Sequence, residues 1–402
     1  MQDRIIFYTP YYHPESFPHN SLIEELTNRN YQITVITSLP NYRKYGFYKG
    51  FNLFGPYLQY KKNLRIYRLP IIPRLNDKLF SIFLFYLSFF LSSIFFLSFY
   101  SLLHRKKYTY FISFCGSPVY VGILGNFFAK IIGAKHFQWI QDIWPEAIQT
   151  TQKANLKYTK SIINIIQIWM WNKADVLLSQ SEELRNYLAV NTKAKLHKVL
   201  FNPVRELSRE TAIFPPMVNE KLVITYMGAI GSGKYIEESL DAIISIKNEK
   251  IEYNLCGIGS LHNELSTRYY QQNIKWNGWL EVDELDHISN KTDYFIFGLE
   301  TKDRQSLILP SKLQTYCMYG KPIICCAEGA AKALIKNNNI GIVCEEQTKE
   351  GIIMAVTKAI SLSKEERSLM GNNARNYFKN NFTKEKIADQ CVKIFDELRE
   401  MK

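Results

Sequence analysis

The chain has no Cys-x-x-Cys pair, no C2H2 spacing, no RNP-like aromatic strand and no long arginine-rich arm. These absences argue against a zinc site and against the familiar readers of nucleic acid. No short repeat, low-complexity tract or DxD-like carboxylate cluster occurs in the 402 residues. Acidic residues are also scarce: 37 Asp and Glu face 50 Lys and Arg, a net charge of +13. The imbalance is concentrated at the front, where residues 1–110 hold 14 Lys/Arg against 5 Asp/Glu. With no nucleic-acid signature present, that bias points to an anionic membrane surface. The opening MQDRIIFYTPYY turns polar after three apolar residues, unlike a signal peptide, so the chain is expected to start in the cytoplasm. Its seven cysteines (Cys115, Cys256, Cys317, Cys325, Cys326, Cys344 and Cys391) mostly fall in apolar strand or helix patterns, as small buried hydrophobes of a reducing compartment do.

What is present is an alternation of short apolar runs and helical patterns. It opens with a strand at Arg4 to Tyr8, a helix at Ser21 to Asn28 and a strand at Gln32 to Thr37, a βαβ start. After a Pro-bearing stretch, residues 202–219, a fresh series begins at Leu222. The expectation is an α/β protein: a first doubly wound domain over 1–201, a linker over 202–219, a second domain over 220–383, and a final helix in 384–402 packing back toward the first. Residues 38–78 read as irregular, aromatic and basic. In such sheets ligands sit at the carboxyl ends of strands. That rule marks His13, Glu15 and His19 in the first loop. It also marks Asp142 and Glu146 in QDIWPEA, either as acid/base or hydroxyl-binding groups or as helix-capping residues.

Residues 79–103 run for 25 positions without a charge. One helix of that length would reach about 37 Å against a hydrocarbon core of about 30 Å. If the flanking strands share one sheet, both flanks lie on one side of a membrane. The favoured expectation is therefore an interfacial insertion bent near Ser92-Ser93, with a membrane span and a buried soluble helix as alternatives.

Four strand-end loops of the second domain carry candidate chemistry. MGAIGSGK brings Gly228, Gly231, Ser232 and Lys234 to a strand-to-helix turn where backbone can approach phosphate. It fits the first seven positions of the P-loop pattern, but Tyr235 stands where Ser or Thr would hold Mg²⁺ and no Walker-B-like strand follows; an ATPase stays as an alternative. Gly257 and Gly259 form a second short loop, and Trp279-Leu280 a turn suited to a flat base. The fourth, from Glu300 through Pro310 and Ser311, delivers Lys312, Gln314 and Thr315 to a helix start, an anion site by dipole and charge.

The order of these loops resembles the family-4 retaining glycosyltransferases of the GT-B fold, in which two Rossmann-like domains face across a cleft. Gly228 and Lys234 match the glycine and lysine of that family's G-R-x-x-x-x-K, with Ala229 at the arginine position. The family's paired glutamates fall at Leu307 and Thr315 here. LILPSKLQTYCMYGKP and QDIWPEA are similar to a branch reading I-P-x-K-x-Q-S-Y-x-x-x-G-K-P and D-x-W-P-E, which serves O-antigen and capsule assembly, often with N-acetylated amino sugars. The resemblance implies a nucleotide diphospho-sugar donor, UDP-linked for preference, held by Gly228, Gly231, Ser232, Lys234, Gly257, Gly259, Trp279, Leu280, Glu300, Pro310, Ser311, Lys312, Gln314 and Thr315. Lys234, Lys312 and Asp142 would be catalytic, and His13, Glu15, His19, Asp142 and Glu146 acceptor-side. It further implies retention of configuration and a polyprenyl-diphosphate-linked saccharide acceptor. No metal, cofactor or nucleic-acid partner is expected, and the place of work is the cytoplasmic face of the inner membrane.

Overall fold

The computed structural model describes residues 3–42, 45–76, 78–144, 146, 160–204, 221–248, 250–300 and 303–401. Most of the expected linker, Pro145 and the expected helix start at Tyr158 lie outside them. The chain divides into two compact units, Met1–Arg205 with Lys384–Lys402, and Glu206–Thr383.

In the first unit the order is β1 (Arg4–Tyr8), α1 (Pro18–Asn28), β2 (Gln32–Ser38), β3 (Leu58–Lys61), β4 (Leu64–Leu69), α2 (Leu79–Leu103) and β5 (Tyr110–Cys115). There follow α3 (Tyr120–Ile132), β6 (Lys135–Ile140), α4 (Lys160–Trp171), β7 (Val176–Ser179), α5 (Glu182–Asn191) and β8 (Leu196–Val199). The sheet runs β3-β4-β2-β1-β5-β6-β7-β8, with β3 alone antiparallel. Residues 38–78 are thus not all irregular: a hairpin extends the edge of the sheet. Its strands LQYK and LRIYRL face water on one side, and their charges hid the β alternation.

Buried strands clad on both faces read as continuous apolar runs. Neighbouring residues still part ways: Tyr110 stacks on Phe395 at 4.2 Å, while Phe111 belongs to the cluster with Tyr8, Phe85, Phe89 and Phe128. So α2 and α3 cover one face. On the other lies the C-terminal helix, α13 (Lys384–Glu400), which also meets α1 through Arg29 to Asp389 at 2.7 Å.

The long apolar segment is one continuous helix. It is not divided into two helices at Ser92-Ser93, and it is not fully buried. As the crossover from β4 to β5 it lies on the sheet, and Phe85, Phe89, Ser93, Leu97, Tyr100 and Ser101 form the buried stripe. Its serines do other work: Ser81 and Ser88 accept from the amides of Leu75 and Ile72, each at 2.9 Å, and Ser92 donates to the Pro70 carbonyl at 2.6 Å. They fasten the incoming loop along the helix. Burial of Phe85, Phe89 and Leu97 stabilises that seat by about 1.5–3 kcal/mol each. The opposite side of α2 leaves Phe80, Phe83, Leu91, Phe95, Phe99 and Leu103 exposed.

The second unit comprises β9 (Leu222–Met227), α6 (Ile236–Ser245), β10 (Ile251–Cys256), α7 (His262–Arg268), β11 (Ile274–Gly278), α8 (Val282–Lys291) and β12 (Tyr294–Gly298). It continues with a 3-10 turn (Asp303–Leu307), α9 (Ser311–Tyr319), β13 (Ile323–Cys326), α10 (Ala330–Asn337), β14 (Gly341–Val343), α11 (Lys349–Ser361) and α12 (Lys364–Asn381). Its parallel sheet runs β11-β10-β9-β12-β13-β14, so strand order reverses between β9 and β12. Ligands of doubly wound sheets bind at such a switch point, outside the carboxyl ends of the strands. All seven cysteines are buried and reduced.

Candidate functional site

Four loops meet at the carboxyl ends of the second sheet, and backbone hydrogen bonds tie them together. The Gly228 amide donates to Cys256 O at 2.8 Å, Gly257 to Gly278 O at 2.6 Å, Ile230 to Ile258 O at 3.1 Å, and Glu300 to Gly233 O at 2.7 Å. Two glycines are required by this closeness. Gly228 and Gly257 both have φ of +139°, and a Cβ on Gly257 would stand 2.0 Å from the Gly228 carbonyl oxygen. A Cβ on Gly228 would stand 2.5 Å from the Nζ of Lys312.

Lys312 reaches this point because α9 is docked end-on. Tyr316, four residues along and fully buried, accepts from Met227 N at 2.9 Å, donates to Met227 O at 3.1 Å, and stacks on Phe295 at 4.3 Å. One turn earlier, the Lys312 ammonium donates to the Tyr226 hydroxyl at 2.8 Å and lies 4.1 Å from the centre of that ring. The Tyr226 hydroxyl in turn donates to Ala229 O at 2.8 Å. Burial, and secondly the charge of Lys234, bring the Lys312 pKa down to about 7. Burial lowers Lys234 as well. The Lys312 ammonium lies against Gly228, and Lys234 ends the same glycine loop six residues on. Two crowded, partly desolvated ammonium groups at a switch point, beside the positive end of α9, suit a polyanion.

Around them, Ser232, Trp279, Glu300 and Ser311 are exposed, and Gly231, Leu280, Pro310 and Thr315 are half-buried. Thr315 donates to Ser311 O at 3.4 Å within the first turn of α9. Gly259 packs so close to Ile230 that a Cβ would meet its carbonyl at 2.2 Å. Gln314 faces inward, 1% exposed, and its amide has no hydrogen-bond partner among the described residues. Thr301 and Lys302 fall outside the described residues. Tyr226 and Tyr316 were missed by sequence reasoning; the signal was their spacing, two residues before Gly228 and four after Lys312.

In the first unit the sequence candidates separate. Asp142 follows β6 and accepts from Ser117 Oγ at 3.4 Å; burial raises its pKa above the usual carboxylate range. His13 is exposed. Glu15 and His19 are not open to a substrate. Glu15 is 1% exposed and accepts from the amides of Tyr12 at 3.2 Å and of Asn41 and Tyr42 at 2.7 Å. Burial outweighs those donors and brings its pKa to about 7. His19, fully buried, donates through Nε2 to Tyr11 O at 2.7 Å, and burial holds it neutral, near 3. Both residues shape the loop from inside. Glu146 is likewise buried.

Residues 208–377 match the family model of the glycosyl transferases group 1. The matched stretch takes in most of the second unit and less than half of the chain. An uncharacterized glycosyltransferase of Methanocaldococcus jannaschii is 24% identical over 259 residues, 61% of this chain and 63% of the relative, just under two thirds of its length. Sucrose-phosphate synthase from Thermosynechococcus elongatus superposes with a TM-score of 0.72 at 14% identity, covering 100% of both chains. Anabaena HepE, solved with UDP and glucose, gives 0.66 at 11% identity over 98% of this chain and all of its own. These likenesses establish the fold as GT-B, two sheets of mostly parallel strands. The linked glycine loops and both lysines lie inside the matched residues.

Proposed function

We propose that the chain is a glycosyltransferase that moves a sugar from a nucleoside diphosphate donor to a lipid-linked saccharide. The carrying observation is the Lys312 ammonium, bonded to Tyr226 and set against the Gly228 loop that ends in Lys234, at the switch point of the second sheet. Breaking the bond between the anomeric carbon and the β-phosphate oxygen leaves negative charge on that phosphate. Cations already fixed at that place lower the barrier because they need not reorganise. In this reading the glycine loops approach the phosphates, Trp279 and Leu280 border the base, and Asp142 stands on the acceptor side. UDP is the favoured nucleotide, supported by the fold likeness to a protein solved with UDP and glucose. Retention, an N-acetylated amino sugar and a role in surface polysaccharide assembly are supported by the two sequence motifs of the branch described above. The exposed apolar side of α2 and the basic first 110 residues support work at the cytoplasmic face of the inner membrane, held to a leaflet where a polyprenyl-linked acceptor resides.

Thermal-shift binding of UDP, GDP, CMP and ATP, with and without EDTA, tests the reading. The expected result is stabilisation by UDP, unchanged by EDTA and lost in Lys312→Ala. ATP alone stabilising the protein, in a Mg²⁺-dependent way, would replace the transferase with an ATPase. No shift with any nucleotide would leave a non-catalytic membrane protein.

A further inference from the structure

The helical layer on one face of the first sheet holds a second feature, independent of what the second unit transfers. Between α3 and α4 runs a groove of about 740 Å³. Volumes of about 300–1,000 Å³ are typical of ligand sites. Ile123, Phe127 and Trp169 wall it with apolar surface, and Lys130, Lys135 and Lys173 stand at its end. Lys135 is paired with Asp175 at 3.3 Å, whereas Lys130 and Lys173 are exposed and have no acidic partner among the described residues. The stem of Lys106 borders the Gly133 turn at the same end. Phe127 and Trp169 are 60% and 49% exposed, and next to them on α4 Ile162 and Ile165 also face outward. This surface continues that of α2, since α2 packs on α3 and α3 on α4.

A greasy slot ending in unpaired ammonium groups matches one class of ligand: an apolar chain that carries an anionic head. We propose that the α3–α4 groove binds one anionic glycerophospholipid of the bilayer, an acyl chain between Phe127 and Trp169 and its phosphate at Lys130 and Lys173. Charge complementarity and continuity with the α2 surface select this occupant. Trp169, apolar in body with one N–H, is the residue type that settles at headgroup depth. The lipid is not the reacting acceptor. The groove is lined by the first residues of β6 and Asp142 lies beyond its last, a separation of about 20 Å for a strand of this length.

Native mass spectrometry of the full chain, released from detergent after incubation with phosphatidylglycerol or phosphatidylcholine, tests this. One phosphatidylglycerol per chain is expected, with no phosphatidylcholine retained. The double variant Lys130→Glu/Lys173→Glu should lower retention at least roughly tenfold, as reversing two cations beside an anionic head predicts. The control Lys61→Glu/Lys62→Glu, in the β3–β4 turn, should retain the lipid. Unchanged melting and UDP response in both variants show that the fold is intact. Equal retention of phosphatidylcholine, retention that survives in the groove variant, or no bound lipid at all would overturn the proposal. Displacement of phosphatidylglycerol by one equivalent of polyprenyl phosphate would overturn it too, by giving the groove to the acceptor.

Discussion

The ammonium of Lys312 rests on Tyr226, bonded to its hydroxyl at 2.8 Å and 4.1 Å from the centre of its ring. A cation held this way, on a helix start and beside a second lysine, is poised before any ligand arrives. Replacing Lys312 by Ala should lower transfer by about 10²–10³-fold, the usual cost of one fixed charge-stabilising group. Lys234→Ala should act in the same direction. Tyr226→Phe keeps the ring but removes the acceptor, and a hydrogen bond to a charged group contributes about 1.5–3 kcal/mol. Steady-state kinetics with the donor identified by the binding panel would read all three.

The pH dependence follows from the same contact. The Lys312 amine loses its proton near pH 7 in the free protein, and a bound diphosphate favours the charged form. Donor affinity should therefore fall as pH rises above 7, and binding at pH 8.5 should take up protons. Calorimetry in buffers of different ionisation enthalpy measures this; an equal uptake in Lys312→Ala would remove Lys312 from the account. The sign for stability is opposite. An unfolded lysine keeps its proton to about 10.4, so between the two values the unfolded state binds more protons and the free protein gains stability as pH rises.

Gly228 and Gly257 should respond unequally to alanine. Each sits at φ of +139°, so both variants carry backbone strain of about 1–3 kcal/mol. At Gly228 the new methyl meets only the movable end of Lys312, whereas at Gly257 it meets a backbone oxygen at 2.0 Å. Urea unfolding should find Gly257→Ala the less stable, while Gly228→Ala shows the larger loss of donor affinity relative to its stability.

Tyr316→Phe retains the stack on Phe295 and leaves the Met227 amide without its partner. A buried donor left unmade costs about 1–3 kcal/mol. The midpoint of urea unfolding should drop accordingly, and UDP should rescue less of it than in the parent protein.

The outward side of α2 should govern membrane binding. Phe95→Glu/Phe99→Glu changes two residues that are 71% and 60% exposed, so the fold should be kept. Flotation with vesicles containing anionic lipid should show clear loss of binding. Unaltered flotation would take this helix out of the membrane reading.

Much of the fold was legible because both sheets are clad on both faces, and their strands read as unbroken apolar runs between helical patterns. The edge hairpin was not: Lys61, Arg65 and Arg68 break up its pattern, although Arg68 is itself folded inward against Gln59 at 2.7 Å. Loop chemistry divided the same way. Gly228, Lys234 and Lys312 stood out because glycine and lysine at strand ends have few other uses. Tyr226 and Tyr316 did not, because a tyrosine inside an apolar run looks like core. Glu15 and His19 misled for the converse reason: a polar residue in a Pro-rich loop reads as exposed, and nothing local shows that the loop turns it inward onto backbone amides and carbonyls.

The seating of α2 limits how the chain can meet a bilayer. β4 enters this helix and β5 leaves it, and both are strands of a single sheet through β2 and β1. Residues 69 and 110 therefore cannot be parted by a hydrocarbon layer without tearing that sheet. Reporters fused into the loops on either side of the helix would give one answer, not two, however strongly its hydropathy advertises a crossing.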